Sequence, residues 1–264
     1  MRFRDFRVTQ TLRSGTIVRQ DFSTSARFVF FDTGHEHWQY GTHGGTLFIV
    51  LFRGKPYGLT CQHVLKDFGW HQLVVTDQRV GRQIAGLRSV AYASQPKDAA
   101  IDTDLLDIAV VQFSSNVDAA FFKDAAYVVD DNTIATSNPG DILHVAGALK
   151  ALSEITESTV LPTYCRLEMI DDTVTSHDPT LRQAIGKFDR PEIESVEGLS
   201  GSPVFNLTRR ALCGMVVRGS IDKHMCTLRY VDVFDIAHLL RAVHEGRSET
   251  YYRKHITTIE RTAK

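Results

Sequence analysis

Apolar residues come in short bursts along this chain, alternating with polar ones or gathered into brief runs bounded by Gly, Pro, Asn and Asp. That texture predicts β-strands over 27–32, 46–52, 57–60, 72–76 and 106–113, with a short helical turn at 63–67. A crossing at 116–138, where Ala-rich and aromatic residues mix with turn formers, leads to a second set of strands over 141–148, 159–170, 203–206, 212–217 and 225–231. Between 171 and 197 the chain is charged and rich in turn formers, with Asp171-Asp172, His177-Asp178-Pro179 and Arg190-Pro191. It reads as loop, the kind of segment that sets substrate choice on a rigid scaffold. Helical spacing appears in Val233, Ile236, Leu239, Leu240 and Val243, which predicts a helix over 233–245 stopped by Gly246. Residues 1–25 read as a polar, basic extension, and 247–264 as a mixed-charge tail, disordered or forming a short extra helix. The pattern is that of an all-β protein with a C-terminal α-helix.

Composition narrows the class. The 264 residues are 43% hydrophobic and 23% charged, enough to bury one large core or two smaller ones. A formal net charge of -1 argues against a nucleic-acid or membrane partner. No run of about 18 apolar residues exists, and the charged start Met1-Arg2-Phe3-Arg4-Asp5-Phe6-Arg7 lacks the apolar core of a secretory signal, so a cytoplasmic protein is expected. Cys61, Cys165, Cys213 and Cys226 show no metal-binding spacing and read as buried thiols. Cys213 and Cys226 flank a hairpin and could pair only in an exported protein.

Candidate chemistry concentrates at three places: Cys61-Gln62-His63-Val64, Asp104 to Val110, and Gly198-Leu199-Ser200-Gly201-Ser202-Pro203. A serine hydroxyl is a weak nucleophile at neutral pH and needs a base, and histidine, with a reference pKa of about 6.5, suits that task. The imidazolium formed during attack needs a carboxylate to fix its tautomer and offset its charge. His63 is the candidate base and Ser200 the nucleophile. Asp107, at the head of the apolar run Ile108-Ala109-Val110-Val111, is the better orienting acid, and Asp104 the weaker. An oxyanion needs two backbone N–H groups aimed into one small space, a turn for which glycine is suited. Gly198 and Ser200 are the expected donors. Gly201 leaves room behind the nucleophile, and Pro203 fixes φ at the start of the next strand. Taken singly, each piece has an ordinary reading as a loop, a structural histidine or a surface acid. Together and in the order His, Asp, Ser they point to nucleophilic catalysis.

These blocks resemble those of the trypsin-like, chymotrypsin-fold serine peptidases, particularly prokaryotic members related to the HtrA and Deg proteases. Gly198 to Pro203 is similar to the family's Gly-Asp-Ser-Gly-Gly-Pro, with Leu199 and Ser202 as departures. Thr60-Cys61-Gln62-His63 stands where the family has Thr-Ala-Ala-His, and Asp107-Ile108-Ala109-Val110 resembles Asp-Ile-Ala-Leu. Gly44-Gly45-Thr46-Leu47-Phe48-Ile49 is similar to the Gly-Ser-Gly-x-x-Ile strand. The resemblance spans roughly residues 40 to 245. It implies two packed six-stranded antiparallel β-barrels: the first, 26–125, carrying His63 and Asp107, and the second, 126–246, carrying Ser200 and the terminal helix. It further implies a serine endopeptidase acting on protein or peptide substrates through an acyl-enzyme, with no metal or organic cofactor.

In the same resemblance Leu212 to Ser220 is the strand that lines the primary specificity pocket, with Val217, Arg218 and Gly219 as substrate-binding positions. Arg218 reads equally as an exposed edge charge. Glu194 would fall near the base of that pocket and favour Lys or Arg on the substrate. Leu199 stands where zymogen-type members carry an aspartate that pairs with a new N-terminus, so that activation route is closed. Latency relieved by a partner protein or a loop rearrangement is then expected. The competing reading is a catalytically silent module of the same fold that binds peptides or partners. An α/β-hydrolase is disfavoured because Ser202 replaces the second glycine of Gly-x-Ser-x-Gly and the histidine precedes the serine. His35, His37 and His43 beside Glu36 match no zinc spacing and read as a solvated loop.

Overall fold

The computed structural model describes residues 22–35, 37, 39–66, 69–77, 83–94, 107–122, 125–156, 160–175, 181–187, 193–222, 224–247 and 255–260. Asp104, Glu36 and residues 1–21 of the expected extension lie outside the described residues. The first half holds β1 (Ala26–Phe28), β2 (Phe30–Asp32), β3 (Tyr40–Gly41), β4 (Thr46–Phe52), β5 (Lys55–Thr60), β6 (Leu73–Val74), β7 (Leu87–Ser94), β8 (Ala109–Phe113) and β9 (Tyr127–Val129). The second holds β10 (Ile142–Ala148), β11 (Glu154–Ile155), β12 (Val160–Leu161), β13 (Tyr164–Asp171), β14 (Arg182–Lys187), β15 (Pro203–Asn206), β16 (Ala211–Asp222) and β17 (Met225–Asp232). Helix α1 (Val233–His244) and strand β18 (His255–Glu260) complete the chain. The protein is mostly β, as its alternating pattern dictates.

In the second half, β10-β13-β14-β17-β16-β15 close into a six-stranded antiparallel barrel. Its interior is filled by Leu143, Val145, Val204, Val216, Leu228 and Tyr230. The first half forms a seven-stranded sheet of order β1-β4-β5-β8-β7-β18, with β9 parallel beside β4. Closure of this sheet into a barrel is not seen among the described residues. β4 reads as a near-continuous apolar run because it is central, flanked by β1 and β9 on one side and β5 on the other.

Six strands stand where the sequence pattern did not mark them, the two-residue β3 and β11 among them. β14 lies within the segment read as loop, and it supplies the link between β13 and β17 that the barrel needs. The tail, expected to be disordered or helical, adds β18 along β7. β7 and β9 lie between the predicted elements. Helix α1 matches its predicted span, with the Asp232 side chain accepting from the Phe234 amide as N-cap. Its Ile236, Leu239, Leu240 and Val243 join one core with Phe48, Leu59 and Val110 of the first sheet and Phe205 and Met215 of the barrel. At roughly 1.5–3 kcal/mol for each fully buried aliphatic side chain, this packing rather than helix propensity holds α1 across the two halves. Among the described residues, no helix is long and apolar enough to cross a membrane.

A polar cluster braces the barrel beneath α1. Asp171 is 2% exposed and accepts hydrogen bonds from Ser137 Oγ, from Tyr230 Oη at 2.8 Å and from Thr173 N at 3.0 Å. Arg182 Nη1 lies 3.5 Å from the same carboxylate, while its Nε donates to Asp232 at 2.7 Å. Burial opposes ionisation of Asp171, but the hydrogen bonds from Ser137, Thr173 and Tyr230 outweigh it and hold the carboxyl below its ordinary value. A depressed folded-state pKa gives stability that is present above the unfolded value of about 3.9 and is lost as pH falls through the folded one. Asp171→Asn is therefore expected to lower stability at pH 7 by about 1–3 kcal/mol and to flatten its decline below about pH 4. Urea unfolding at pH 7, 4 and 3 checks this, and an unchanged pH slope in the variant would contradict it.

Candidate active site

Pairing of β5 with β8 assembles the first part of the site. The register Thr60↔Ala109 sets the chain leaving β5 beside the chain entering β8, which brings His63 to Asp107. His63 opens a 3-10 turn, and its backbone N–H donates to Asp107 Oδ1 at 2.9 Å. Its ring Nδ1 and Asp107 Oδ2 are 2.5 Å apart, with the carboxylate accepting. Both carboxylate oxygens thus engage one residue, which fixes the ring plane and puts the proton on Nδ1. That leaves Nε2 as a base. The His63 side chain is 49% exposed and Asp107 16%, so the imidazole reaches solvent while its partner is shielded.

Ser200 comes from the other half, on the turn between the 193–199 segment and β15. Gly198 and Gly201 have φ of +102° and +89°, backbone conformations that a side chain strongly disfavours. A Cβ on Gly198 would collide with Ala148 O, and one on Gly201 with Thr46 O. Leu199 is 1% exposed and joins the barrel core, an apolar anchor for the turn.

The turn is clamped from behind. Glu197 O accepts from Lys150 N at 2.9 Å, and Leu199 O accepts from Ser202 N at 2.9 Å. In a trans peptide the N–H points opposite to the preceding carbonyl. The Gly198 and Ser200 N–H groups are therefore turned away from these clamps, and neither donates a backbone hydrogen bond among the described residues. Two backbone donors, two positions apart and without a backbone partner among the described residues, flank the Ser200 turn, which is the kind of group an oxyanion requires.

Thr46 ties the two halves together at this point. Its Oγ1 donates to Gly198 O at 2.8 Å and accepts from Ala148 N at 3.0 Å, and its N–H donates to Ser200 O at 2.8 Å. Thr60 Oγ1 in turn donates to Thr46 O at 2.8 Å. The sequence reading placed Thr46 only in a strand leading toward His63. The available signal was a hydroxyl residue at the second glycine of the Gly-Ser-Gly pattern. Thr46→Val leaves Gly198 O and Ala148 N without this partner, a cost of about 1–3 kcal/mol that corresponds to roughly a 5- to 150-fold loss of rate if it falls on the Gly198–Ser200 turn. Under the hydrolytic function proposed below, the expected result is a fall in kcat of that size with KM nearly unchanged and with Thr46→Ser restoring the rate. An unchanged kcat in Thr46→Val, measured on protein of native thermal stability, would contradict the clamp.

His63, Asp107 and Ser200 line one cleft of about 360 Å3, together with Val217, Arg218 and Gly219 of β16. In this resting arrangement Ser200 Oγ donates to Val217 O at 3.2 Å. That carbonyl is free to accept because the β16–β17 register slips between Val216 and Arg218, a β-bulge that re-aims Val217. Of the residues predicted from the sequence, the cleft is lined by His63, Asp107, Ser200, Val217, Arg218 and Gly219, while Gly198 lies buried two residues before Ser200 in the same turn. Glu194 stands apart, exposed and outside the lining of the cleft.

Cys61 is the remaining group near the site. Its buried Sγ donates to Val216 O at 3.2 Å, and burial, reinforced by the nearby Asp107 charge, pushes the thiol well above its ordinary pKa. Donor atoms of Cys61, His63 and Asp107 lie within 4.8 Å of one another. They make a poor metal centre: the thiol is held protonated, and both carboxylate oxygens are committed to His63. Among the described residues no other cluster of metal-ligating side chains appears, so His35, His37 and His43 do not converge. All four cysteines are free thiols.

No protein-family model matches this chain, and no curated protein matches it.

Proposed function

We propose that this protein is a serine endopeptidase of trypsin-like, two-barrel design, in which the first sheet is the counterpart of the closed barrel and the cleft between them receives a polypeptide. The observation that carries this reading is the convergence on one cleft of a carboxylate-bound imidazole and a serine hydroxyl, the serine standing on a turn whose Gly198 and Ser200 N–H groups donate no backbone hydrogen bond among the described residues. In the reaction, Ser200 rotates its hydroxyl from Val217 O toward His63 Nε2 and attacks the scissile carbonyl carbon as His63 takes the proton. The Gly198 and Ser200 N–H groups receive the oxyanion, and Asp107 stabilises the imidazolium. His63 then protonates the leaving amine, and a water, deprotonated by the same ring, releases the acyl group from Ser200.

The clamped turn also bears on regulation. Lys150 N, Thr46 and Ser202 hold its carbonyls from behind, so the oxyanion donors need no rearrangement to present themselves. A regulatory partner of such an enzyme acts on access to the cleft rather than on the turn. Incubation of the purified protein with an unfolded protein substrate tests the reading. New α-amino termini are expected to accumulate with turnover. Tight peptide binding with no new termini would favour the silent peptide-binding module instead.

A further inference from the structure

Cys61 is fully buried two residues before His63, and its side chain crosses from the first sheet to the barrel. Its Sγ donates to Val216 O at 3.2 Å. The same carbonyl accepts from Gly201 N at 2.8 Å, and Val216 N donates to Ser202 O at 2.9 Å, so both backbone groups of Val216 grip the residues that follow Ser200. The next carbonyl along, Val217 O, accepts from Ser200 Oγ. The thiol therefore reaches the stretch of β16 that holds the serine turn.

The backbone of Cys61 belongs to the other half of the site. β5 ends at Thr60, so the chain leading to His63 leaves the sheet ladder at Cys61. Cys61 O accepts from Val64 N at 3.3 Å and opens the 3-10 turn that carries His63. Donor atoms of Cys61, His63 and Asp107 lie within 4.8 Å of one another. Burial first, and then the Asp107 charge, hold the thiol well above its ordinary pKa, with the Gly201 N–H opposing, so the thiol keeps the proton it donates. The imidazole thus stands on a short turn past the end of a strand, and the serine on a turn clamped by Thr46 and Val216. Proton transfer between them needs a heavy-atom separation of about 2.6–3.2 Å. A bond that crosses from one turn to the support of the other bears directly on that separation.

Resting on the endopeptidase reading, we propose that Cys61 is a positioning residue, whose thiol, bonded to Val216 O, holds the His63 turn at proton-transfer distance from Ser200. It takes no proton from Ser200 and forms no bond to substrate. A buried thiol that only filled space would act through packing, and reactivity would then follow stability. Serine separates the two roles: Cys61→Ser keeps a donor for Val216 O while putting a smaller, more polar group in the buried site.

The test compares wild type with Cys61→Ala and Cys61→Ser, using a fluorophosphonate probe to measure the limiting labelling rate of Ser200 and the half-saturating probe concentration, alongside thermal melting. Cys61→Ala is expected to slow the limiting rate at least about threefold, the scale of one modest hydrogen bond, with half-saturation nearly unchanged. Cys61→Ser is expected to label nearly as fast as wild type, even if it melts no higher than the alanine variant. If Cys61→Ala does not fold, Cys61→Val fills the site without a donor and is read in the same way. A smaller loss in the folded donor-free variant overturns the positioning role. So does a Cys61→Ser variant as slow as Cys61→Ala, or a change confined to half-saturation. In each of these cases the labelling of wild type leaves the peptidase reading intact. Wild type that neither labels at Ser200 nor cuts an unfolded protein overturns the peptidase reading, and this proposal with it.

Discussion

Ser200→Ala is expected to lower kcat/KM for peptide hydrolysis by about 10^6-fold, with residual rate from the oxyanion donors and binding alone. The size follows from the division of labour in the cleft. In the proposed reaction the hydroxyl is the nucleophile to which the acyl group is transferred, whereas the turn around it is held by backbone groups that alanine keeps: Thr46 N to Ser200 O, Gly201 N to Val216 O and Ser202 N to Leu199 O. The substitution removes one hydrogen bond, to Val217 O, worth about 1 kcal/mol, so the fold and peptide affinity should persist. Kinetics alongside thermal melting and peptide binding separate the two effects. A loss of less than tenfold in a folded variant would contradict the assignment of the nucleophile.

Asp107→Asn is expected to lower kcat by about 10^4-fold with little change in KM. The carboxylate accepts from both the backbone N–H and the ring Nδ1 of His63. An amide can serve the backbone N–H through its oxygen, but it then presents an NH2 group to Nδ1, which must become the acceptor. The ring proton moves to Nε2, and the base that Ser200 needs is gone. Cys61 behind the carboxylate does not replace it, since burial alone keeps the thiol neutral and its Sγ is bonded to Val216 O. Steady-state kinetics at saturating peptide check this. A decrease confined to KM would contradict the role given to Asp107.

What could be read from the sequence differed by the range of the interaction responsible. β4, β8, β10, β15, β17 and α1 announce themselves because each buries a face whose period is written locally. β14 does not: its Arg182, Gln183 and Lys187 mark it as surface, and it becomes a strand because β13 and β17 leave a gap that only a paired backbone can close. β18 likewise takes its conformation from the free edge of β7. The three catalytic candidates were legible as motifs because the chemistry requires fixed residue types at short spacing.

Their supports were less visible. The clamp that orients the Gly198–Ser200 turn joins Thr46, Ala148 and Lys150 to residues about fifty to a hundred and fifty positions away. Nothing in a linear reading couples those segments. Glu194, placed near a pocket by counting back from Ser200, is exposed and outside the cleft lining, while Val196 two residues on is buried and lines it.

Reaction with a fluorophosphonate probe tests the central claim most directly, because stable phosphonylation requires an activated serine hydroxyl beside formed oxyanion donors. The expected product carries one phosphonyl group per chain, located on Ser200 by peptide mass mapping. Labelling should be absent from Ser200→Ala and markedly slower in Asp107→Asn. If Ser200 of the wild type stays unmodified under conditions that fully label trypsin, the cleft does not hold an active serine peptidase.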